Sequence, residues 1–170
     1  MFNKIGYKRG VANLLANIGL IYNMRGDKQA ALKNFNSSLE IREEIHEKEN
    51  MGQTINNIGG IYFLDGDYEK ALAYFNRSLS IAEELGSPEQ IGTSLVNIGN
   101  IYSSKGDYEQ ALDYSYNAIK TLEKINYLKG VAYGLKQIGV IYYFKNSYEK
   151  AEEYLERFLT INKEIRFITN

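Results

Sequence analysis

Apolar residues recur along the chain at helical spacing, and the same pattern returns every 40 residues. In the second copy, Ile55, Ile58 and Tyr62 stand at i, i+3 and i+7, on one face of an α-helix. Three columns of identical residues carry the longer period: Gly19, Gly59, Gly99 and Gly139; Tyr22, Tyr62, Tyr102 and Tyr142; Ala31, Ala71, Ala111 and Ala151. A fixed period of this size is typical of a stacked repeat array, in which each unit buries its apolar face against its neighbours.

Polar residues within each copy divide it into two helices. Gly66 suits the left-handed residue after a helix end, and Asp67 suits the N-cap of the next helix. Between copies, Ser87 and Pro88 suit the N-cap and the first helical position. The predicted first helices cover residues 10–24, 51–64, 88–104 and 129–144, and the predicted second helices cover 28–47, 68–86, 108–126 and 148–166.

The column of helical glycines predicts close packing of the two helices. Glycine inside a helix costs about 1 kcal/mol relative to alanine, so four in register need a structural reason. The facing alanine column is also small, which favours close approach. We therefore predict an all-α fold, an α-solenoid of stacked antiparallel helix pairs. The predicted array spans 1–170, with the tail of a preceding repeat at 1–9 and repeats at 10–49, 50–89, 90–129 and 130–170.

The pattern resembles the tetratricopeptide repeat over almost the whole chain. The residues that carry the resemblance are Ile55, Ile58-Gly59, Tyr62, Ala71 and Phe75. The unit departs from that family in lacking the first Trp and the closing Pro, and in its length of 40 residues instead of about 34. The longer unit is similar to the repeats of kinesin light chain, Leu-Gly-Asn adaptors and bacterial peptide sensors. The resemblance implies a right-handed superhelix whose first helices hold segments of partner proteins on a concave face.

The first helices are almost free of charge. Lys136 is the one charged residue within 11–24, 51–64, 91–104 and 131–144, although 24% of the chain is charged. The face opposite the glycine column is predicted to form a neutral peptide-binding groove, with these candidate residues: Asn13, Asn17, Gln53, Asn57, Thr93, Asn97, Asn100, Tyr133, Gln137 and Phe144.

The amides of this groove match the needs of a peptide backbone. An amide side chain offers two N–H donors and an acceptor, so it can bind the C=O and N–H groups of an extended chain of any sequence. In the long-repeat relatives a row of asparagines at this repeat position holds the backbone of the bound peptide. The resemblance implies the same role for Asn17, Asn57 and Asn97. Gln137 departs from the row because it is a glutamine. The alternative is that the amides bridge neighbouring helices of the array.

Composition narrows the functional classes. The net charge is −1, and no basic run exceeds Lys8-Arg9, which argues against a nucleic-acid or anionic-membrane partner. The chain has no cysteine, a single histidine at His46 and no phosphate-binding glycine motif, so we expect no cofactor, no metal site and no enzyme activity. No apolar run approaches the ~20 residues of a membrane span, and we expect a cytoplasmic protein.

The sequence thus predicts a protein-protein interaction module that binds a neutral or apolar extended segment, within a larger adaptor or signalling protein. An alternative is a homo-oligomerisation scaffold that associates through apolar ends. That alternative rests on three apolar residues near the C-terminus, Phe158, Leu159 and Ile165. Solenoid ends normally require a polar cap, so an apolar end favours association.

Overall fold

The computed structural model describes residues 2–168, without the side chains of residues 2 and 3. The predicted outer bounds, residues 1 and 170, lie outside this part of the chain. Residues 2–168 form eight α-helices and no strand: α1 Phe2–Met24, α2 Lys28–Glu44, α3 Met51–Leu64, α4 Tyr68–Glu84, α5 Pro88–Ser104, α6 Tyr108–Glu123, α7 Leu128–Phe144 and α8 Tyr148–Ile168. The predicted all-α fold of packed helix pairs is therefore confirmed.

The turns within the helix pairs follow the predicted capping chemistry. Gly66 has φ +76°, and the Asp67 carboxylate accepts a hydrogen bond from the backbone N–H of Lys70 at 3.1 Å. Asp27 and Asp107 cap α2 and α6 in the same way. Asn146 takes the left-handed conformation that glycine has in the other copies, with φ +57°. Each sharp turn therefore arises from a residue that tolerates positive φ, followed by a residue suited to an N-cap.

The second helices of the first three copies end two or three residues earlier than predicted. His46, Gly86 and Asn126 have φ of +55°, +60° and +54°, so each leaves the helical conformation just after its helix. These three positions are themselves one repeat period apart. At the other boundary α5 begins at Pro88 as predicted, but the Ser87 side chain makes no capping hydrogen bond.

The first helix begins earlier than the predicted residue 10. Residues 2–9 continue α1 without a break, so they extend the first helix. Lys8 forms an ion pair with Glu44 at the C-terminal end of α2, and Arg9 Nε lies 3.5 Å from Glu47 Oε1 just beyond it. These contacts tie the extension to the turn after α2.

The chain divides into two compact units, each with its own core. Unit 1 contains α1–α4 and ends at Gly86, and unit 2 begins at Ser87 and contains α5–α8. Phe35, Ile55 and Ile58 are fully buried in the core of unit 1. Leu135 and Ile138 are fully buried in the core of unit 2. Each unit thus packs two helix pairs around apolar side chains.

The glycine column marks close contacts, as predicted, but the facing group differs from the expected alanine. A Cβ added to Gly59 would lie 2.7 Å from the ring of Phe75, and one added to Gly19 would lie 2.8 Å from Phe35. In the fourth copy the facing side chain is Leu155. The helices approach closely because the absence of a Cβ leaves room for a large side chain. In the last two copies the backbone oxygens of Ala111 and Ala151 also lie 3.3 Å from that Cβ position.

Candidate functional site

The two first helices of unit 1 enclose a polar cleft of about 290 Å³, called cleft 1 below. Asn17 of α1 and Asn57 of α3 stand at the same repeat position and both line it. Asn17 is exposed and Asn57 is half-buried, so their amides are open to a ligand. The full lining is Asn13, Ala16, Asn17, Leu20, Arg42, Asn50, Gln53, Thr54 and Asn57. All four predicted groove residues of unit 1 are therefore brought together.

Arg42 makes the lining of cleft 1 differ from the predicted neutral groove. It comes from the second helix α2 and is only 2% exposed, yet it is one of the residues that line the cleft. Arg42 Nη1 forms an ion pair with the buried carboxylate of Glu47, and Arg42 Nη2 donates to Asn13 Oδ1 at 2.7 Å. Asn50 Nδ2 donates to the other oxygen of Glu47 at 2.8 Å. The lining of cleft 1 thus includes one ion-paired, buried guanidinium from the second helix, in addition to the uncharged residues predicted from the first helices.

A comparison of repeat positions could have found Arg42. The equivalent residues one and two periods later are Ala82 and Leu122, which are both fully buried and apolar. A charge at a position that is part of the core in the next two copies indicates a local departure from the repeat pattern, and the fourth copy departs as well, with the half-buried Asn162. The hydrophobic pattern of a single helix does not reveal it, because Arg42 follows a stretch of ordinary amphipathic sequence.

Unit 2 has a second cleft of about 270 Å³, called cleft 2, with a more apolar lining. Its residues are Thr93, Val96, Asn97, Asn100, Tyr127, Gly130 and Tyr133. Burial raises the pKa of the Tyr127 phenol above its ordinary value, with a smaller effect from Glu89. Tyr127 was missed by the sequence analysis because it precedes α7, outside the helical register used to assign the groove.

A neighbouring depression of about 370 Å³ in unit 2 contains the fourth member of the amide row. Gln137 lines it but is only 7% exposed. Gln137 Nε2 donates to Asn100 Oδ1 at 2.9 Å, and the Ser115 hydroxyl lies 2.8 Å from Gln137 Oε1. The amide of Gln137 is therefore held within unit 2, as the helix-bridging alternative requires.

The inward position of Gln137 follows from a substitution elsewhere in the repeat. Ser115 occupies the position of Phe35 and Phe75 in the first two copies. Without a phenyl ring there, Gln137 fills the space: a Cβ added to Gly99 would meet Gln137 Nε2 at 3.1 Å. The longer amide thus replaces an aromatic ring in the packing of the third copy.

Phe144, a predicted groove residue, belongs to a small aromatic cluster at the C-terminal end of α7. Phe144 stacks on Tyr108 with ring centroids 6.2 Å apart, and it meets the ring of Tyr143 edge-on at 5.8 Å. Phe144 keeps more than half of its surface exposed. It therefore offers an apolar surface beside the described depressions of unit 2.

Within 2–168 there is no group of three or more His, Cys, Asp or Glu side chains placed to hold a metal ion. None of the described helices is both long and apolar enough to cross a membrane.

Several bacterial and archaeal proteins of known structure have a fold similar to that of this chain. Aspartyl phosphate phosphatase F from Bacillus subtilis is 24% identical, with a TM-score of 0.86 over 93% of this chain and 42% of its own. A Rap protein in complex with competence and sporulation factor is 22% identical, with a TM-score of 0.83 over 95% and 44% of the two chains. These identities show a common fold, and the present chain spans less than half the length of either structure.

A signal transduction ATPase from Pyrococcus horikoshii with a tetratricopeptide repeat sensor also matches. It is 22% identical, with a TM-score of 0.79 over 95% of this chain and 25% of its own. No curated protein matches the sequence.

Models of the tetratricopeptide repeat match the sequence directly. One matches residues 11–50, and another matches 50–124 and 90–164. The matches cover nearly the whole chain and extend from α1 into α8, with the period and helix pairs described above. The chain therefore belongs to the tetratricopeptide repeat family.

Proposed function

We propose that cleft 1 and cleft 2 each bind an extended segment of a partner protein or peptide, and that this part of the protein acts by binding without catalysis. The observation that carries the proposal is the pairing of Asn17 and Asn57 along one open cleft. Together these amides offer four N–H donors and two acceptors to a polypeptide backbone. Extended binding surfaces of this kind are what helical repeat arrays present to their partners.

The lining of cleft 2 adds a preference for apolar side chains. Val96, Tyr127 and Tyr133 supply its apolar surface, while Asn97 and Asn100 supply polar atoms. A segment with a neutral or apolar side chain beside exposed backbone groups fits this mixture. Tyr133 is largely exposed, and Phe144 at the end of α7 offers a further apolar contact.

The similar Rap protein supports binding as the general role, since it was solved in complex with competence and sporulation factor. The fold alone is shared, so the identity of the segment bound here must come from experiment. A role in signalling within a longer protein is part of the proposal.

A selection from a displayed library of random linear peptides tests the proposal. We expect peptides that bind the wild-type chain to lose binding to a variant with Asn17→Ala and Asn57→Ala. A matched control carries Asn36→Ala and Asn76→Ala, which change exposed asparagines on α2 and α4 of the same unit. Selected peptides that bind the cleft variant and the control equally well would contradict a role for these amides.

Self-association is a second candidate function, favoured by apolar surface on α8. Leu159 is 55% exposed, and Phe158 and Ile165 line a depression of about 300 Å³ with Lys129 and Lys136 of α7. We propose that Phe158→Asp would lower the mass of any concentration-dependent assembly, measured by light scattering after size exclusion. A mass that stays near 19.4 kDa over the concentration series would rule out this candidate for the chain.

A further inference from the structure

We propose that a stacked pair of tyrosines in unit 2, Tyr102 of α5 and Tyr114 of α6, binds basic side chains of a partner protein. Neither tyrosine is part of the lining of cleft 2. This surface therefore goes beyond the proposed function, and it can be tested separately from the clefts.

Stacked tyrosine pairs recur along the chain at the repeat period of 40 residues. They are Tyr62 with Tyr74, Tyr102 with Tyr114 and Tyr142 with Tyr154, with ring centroids 5.4, 5.4 and 5.7 Å apart. In each pair, one ring belongs to the first helix of the copy and the other to the second helix. The three pairs are structurally equivalent, so the groups that surround them can be compared.

The pairs in the second and fourth copies carry a lysine ammonium over the first ring. Lys70 Nζ lies 5.2 Å from the ring centroid of Tyr62, and Lys150 Nζ lies 5.2 Å from that of Tyr142. In the fourth copy the guanidinium of Arg157 also lies 5.4 Å from the centroid of the second ring. An aromatic face attracts a cation at such distances through its quadrupole. These contacts within the chain indicate the chemical group that the pair accepts.

The third copy keeps the rings but has amides in place of both bases. Gln110 stands at the position of Lys70 and Lys150, and Asn117 stands at the position of Arg157. Among the side chains that the structure describes, no ammonium or guanidinium lies over either ring of this pair. Both rings are half-buried, so part of each is accessible to a base from another chain.

The charges around the third pair also favour a basic ligand. In the second copy the Asp67 carboxylate lies 2.7 Å from Lys70 Nζ. The equivalent Asp107 instead accepts a hydrogen bond from the neutral amide of Gln110, whose Nε2 lies 3.1 Å from Asp107 Oδ2. Residues 107–119 contain three acidic residues and no base. A lysine ammonium bound here would meet both an aromatic face and a carboxylate without a cationic partner in this segment.

A basic peptide and its neutral twin test the proposal. The basic probe is acetyl-Gly-Lys-Gly-Arg-Gly carboxamide, and the twin carries Nε-acetyl-lysine and citrulline in place of the two bases. Each is titrated into protein with ¹³C-labelled tyrosine at physiological ionic strength, where distant charges are screened. The readout is the shift of the Tyr102 and Tyr114 ring signals, which are assigned by their absence from Tyr102→Phe and Tyr114→Phe spectra. We expect the basic peptide to shift both signals and to bind about fivefold more tightly than its twin.

A variant that supplies both bases from the chain itself gives a second test. Gln110→Lys with Asn117→Arg places the bases of the fourth copy beside the third pair, and it keeps both tyrosines. The rings should then be occupied, and the basic peptide should bind about fivefold more weakly. The matched control is Asn36→Lys with Asn76→Arg, which adds the same charges at exposed positions of unit 1 and should bind the peptide as the wild type does.

Equal dissociation constants for the two peptides would overturn the proposal. So would Tyr102 and Tyr114 signals that stay in place, or equal binding by the double variant and its control. Tighter binding of 1,4-diaminobutane than of the basic peptide would overturn the choice of a protein partner and indicate a free polyamine. The proposed function is judged independently, by the dependence of library-selected peptides on Asn17 and Asn57.

Discussion

At the scale of single residues, the same repeat position serves different purposes in different copies. Asn17 and Asn57 face an open cleft, whereas Gln137 is buried between Ser115 and Asn100. The sequence correctly places the amide row on one helix face. It could not show that Gln137 turns inward, because that depends on the loss of a phenyl ring at position 115, on another helix.

Gln137 and Asn57 should therefore respond differently to truncation. Gln137→Ala leaves a cavity and deprives Asn100 and Ser115 of a partner, so we expect it to lower the free energy of unfolding by about 1–3 kcal/mol. Asn57→Ala should change it by less than about 0.5 kcal/mol. Urea denaturation of the two variants gives the comparison, and equal losses would show that the row is structural throughout.

Arg42 provides a second contrast. Arg42→Ala leaves the Glu47 carboxylate buried without its main partner, and we expect a loss of about 3–5 kcal/mol in unfolding free energy. Arg42→Leu combined with Glu47→Gln removes both charges and supplies the residue found at position 122. The double variant should be clearly more stable than Arg42→Ala. If the thermal melting temperature of the double variant is as low as that of Arg42→Ala, the ion pair stabilises the fold in a way that an apolar residue at this position does not.

At the scale of elements, capping residues and the glycine column determine where helices end and how closely they pack. The turns at Gly26-Asp27, Gly66-Asp67 and Gly106-Asp107 were predictable because each residue has a distinct local preference. In the first and third copies the ends of the second helices were placed too late, since His46 and Asn126 are weaker signals for positive φ than glycine. In the second copy the prediction ran through Gly86, although a glycine with positive φ commonly follows a helix end. The partner of the glycine column, Phe35 or Phe75, required the three-dimensional packing.

Adjacent glycines on α3 test this close packing. Gly59→Ala would bring a Cβ within 2.7 Å of the Phe75 ring, and we expect a cost of about 1–3 kcal/mol. Gly60→Ala has no such neighbour within 4 Å and should stabilise the helix by up to about 1 kcal/mol. Thermal melts of the two variants should shift in opposite directions. A similar shift for both would mean that α3 and α4 can separate at little cost.

At the scale of the whole molecule, the chain is organised as two compact units that each contain two helix pairs and a buried core. The repeat period predicted the number of helix pairs, since it follows directly from the residue columns. The division at Gly86 was not predicted, because the 40-residue period is the same across every repeat boundary; the local difference there is Pro88, the single proline of the chain.

Each unit should keep its fold when expressed alone. Phe35, Ile55 and Ile58 give residues 1–86 a core of their own, and Leu135 and Ile138 do the same for residues 87–170. We expect both fragments to show helical circular dichroism and a cooperative thermal transition. A fragment that loses its helical signal gradually, without a transition, would contradict this description of that unit.

The binding role of the amide clefts is tested most directly by a fluorescence anisotropy titration of one library-selected peptide. The account predicts that Asn17→Ala with Asn57→Ala in cleft 1, or Asn97→Ala in cleft 2, weakens binding at least tenfold, the equivalent of about 1.4 kcal/mol. At least one of these variants must do so while the melting temperature stays close to that of the wild type. Full affinity in both variants would contradict the account, since the peptide would then bind outside the clefts.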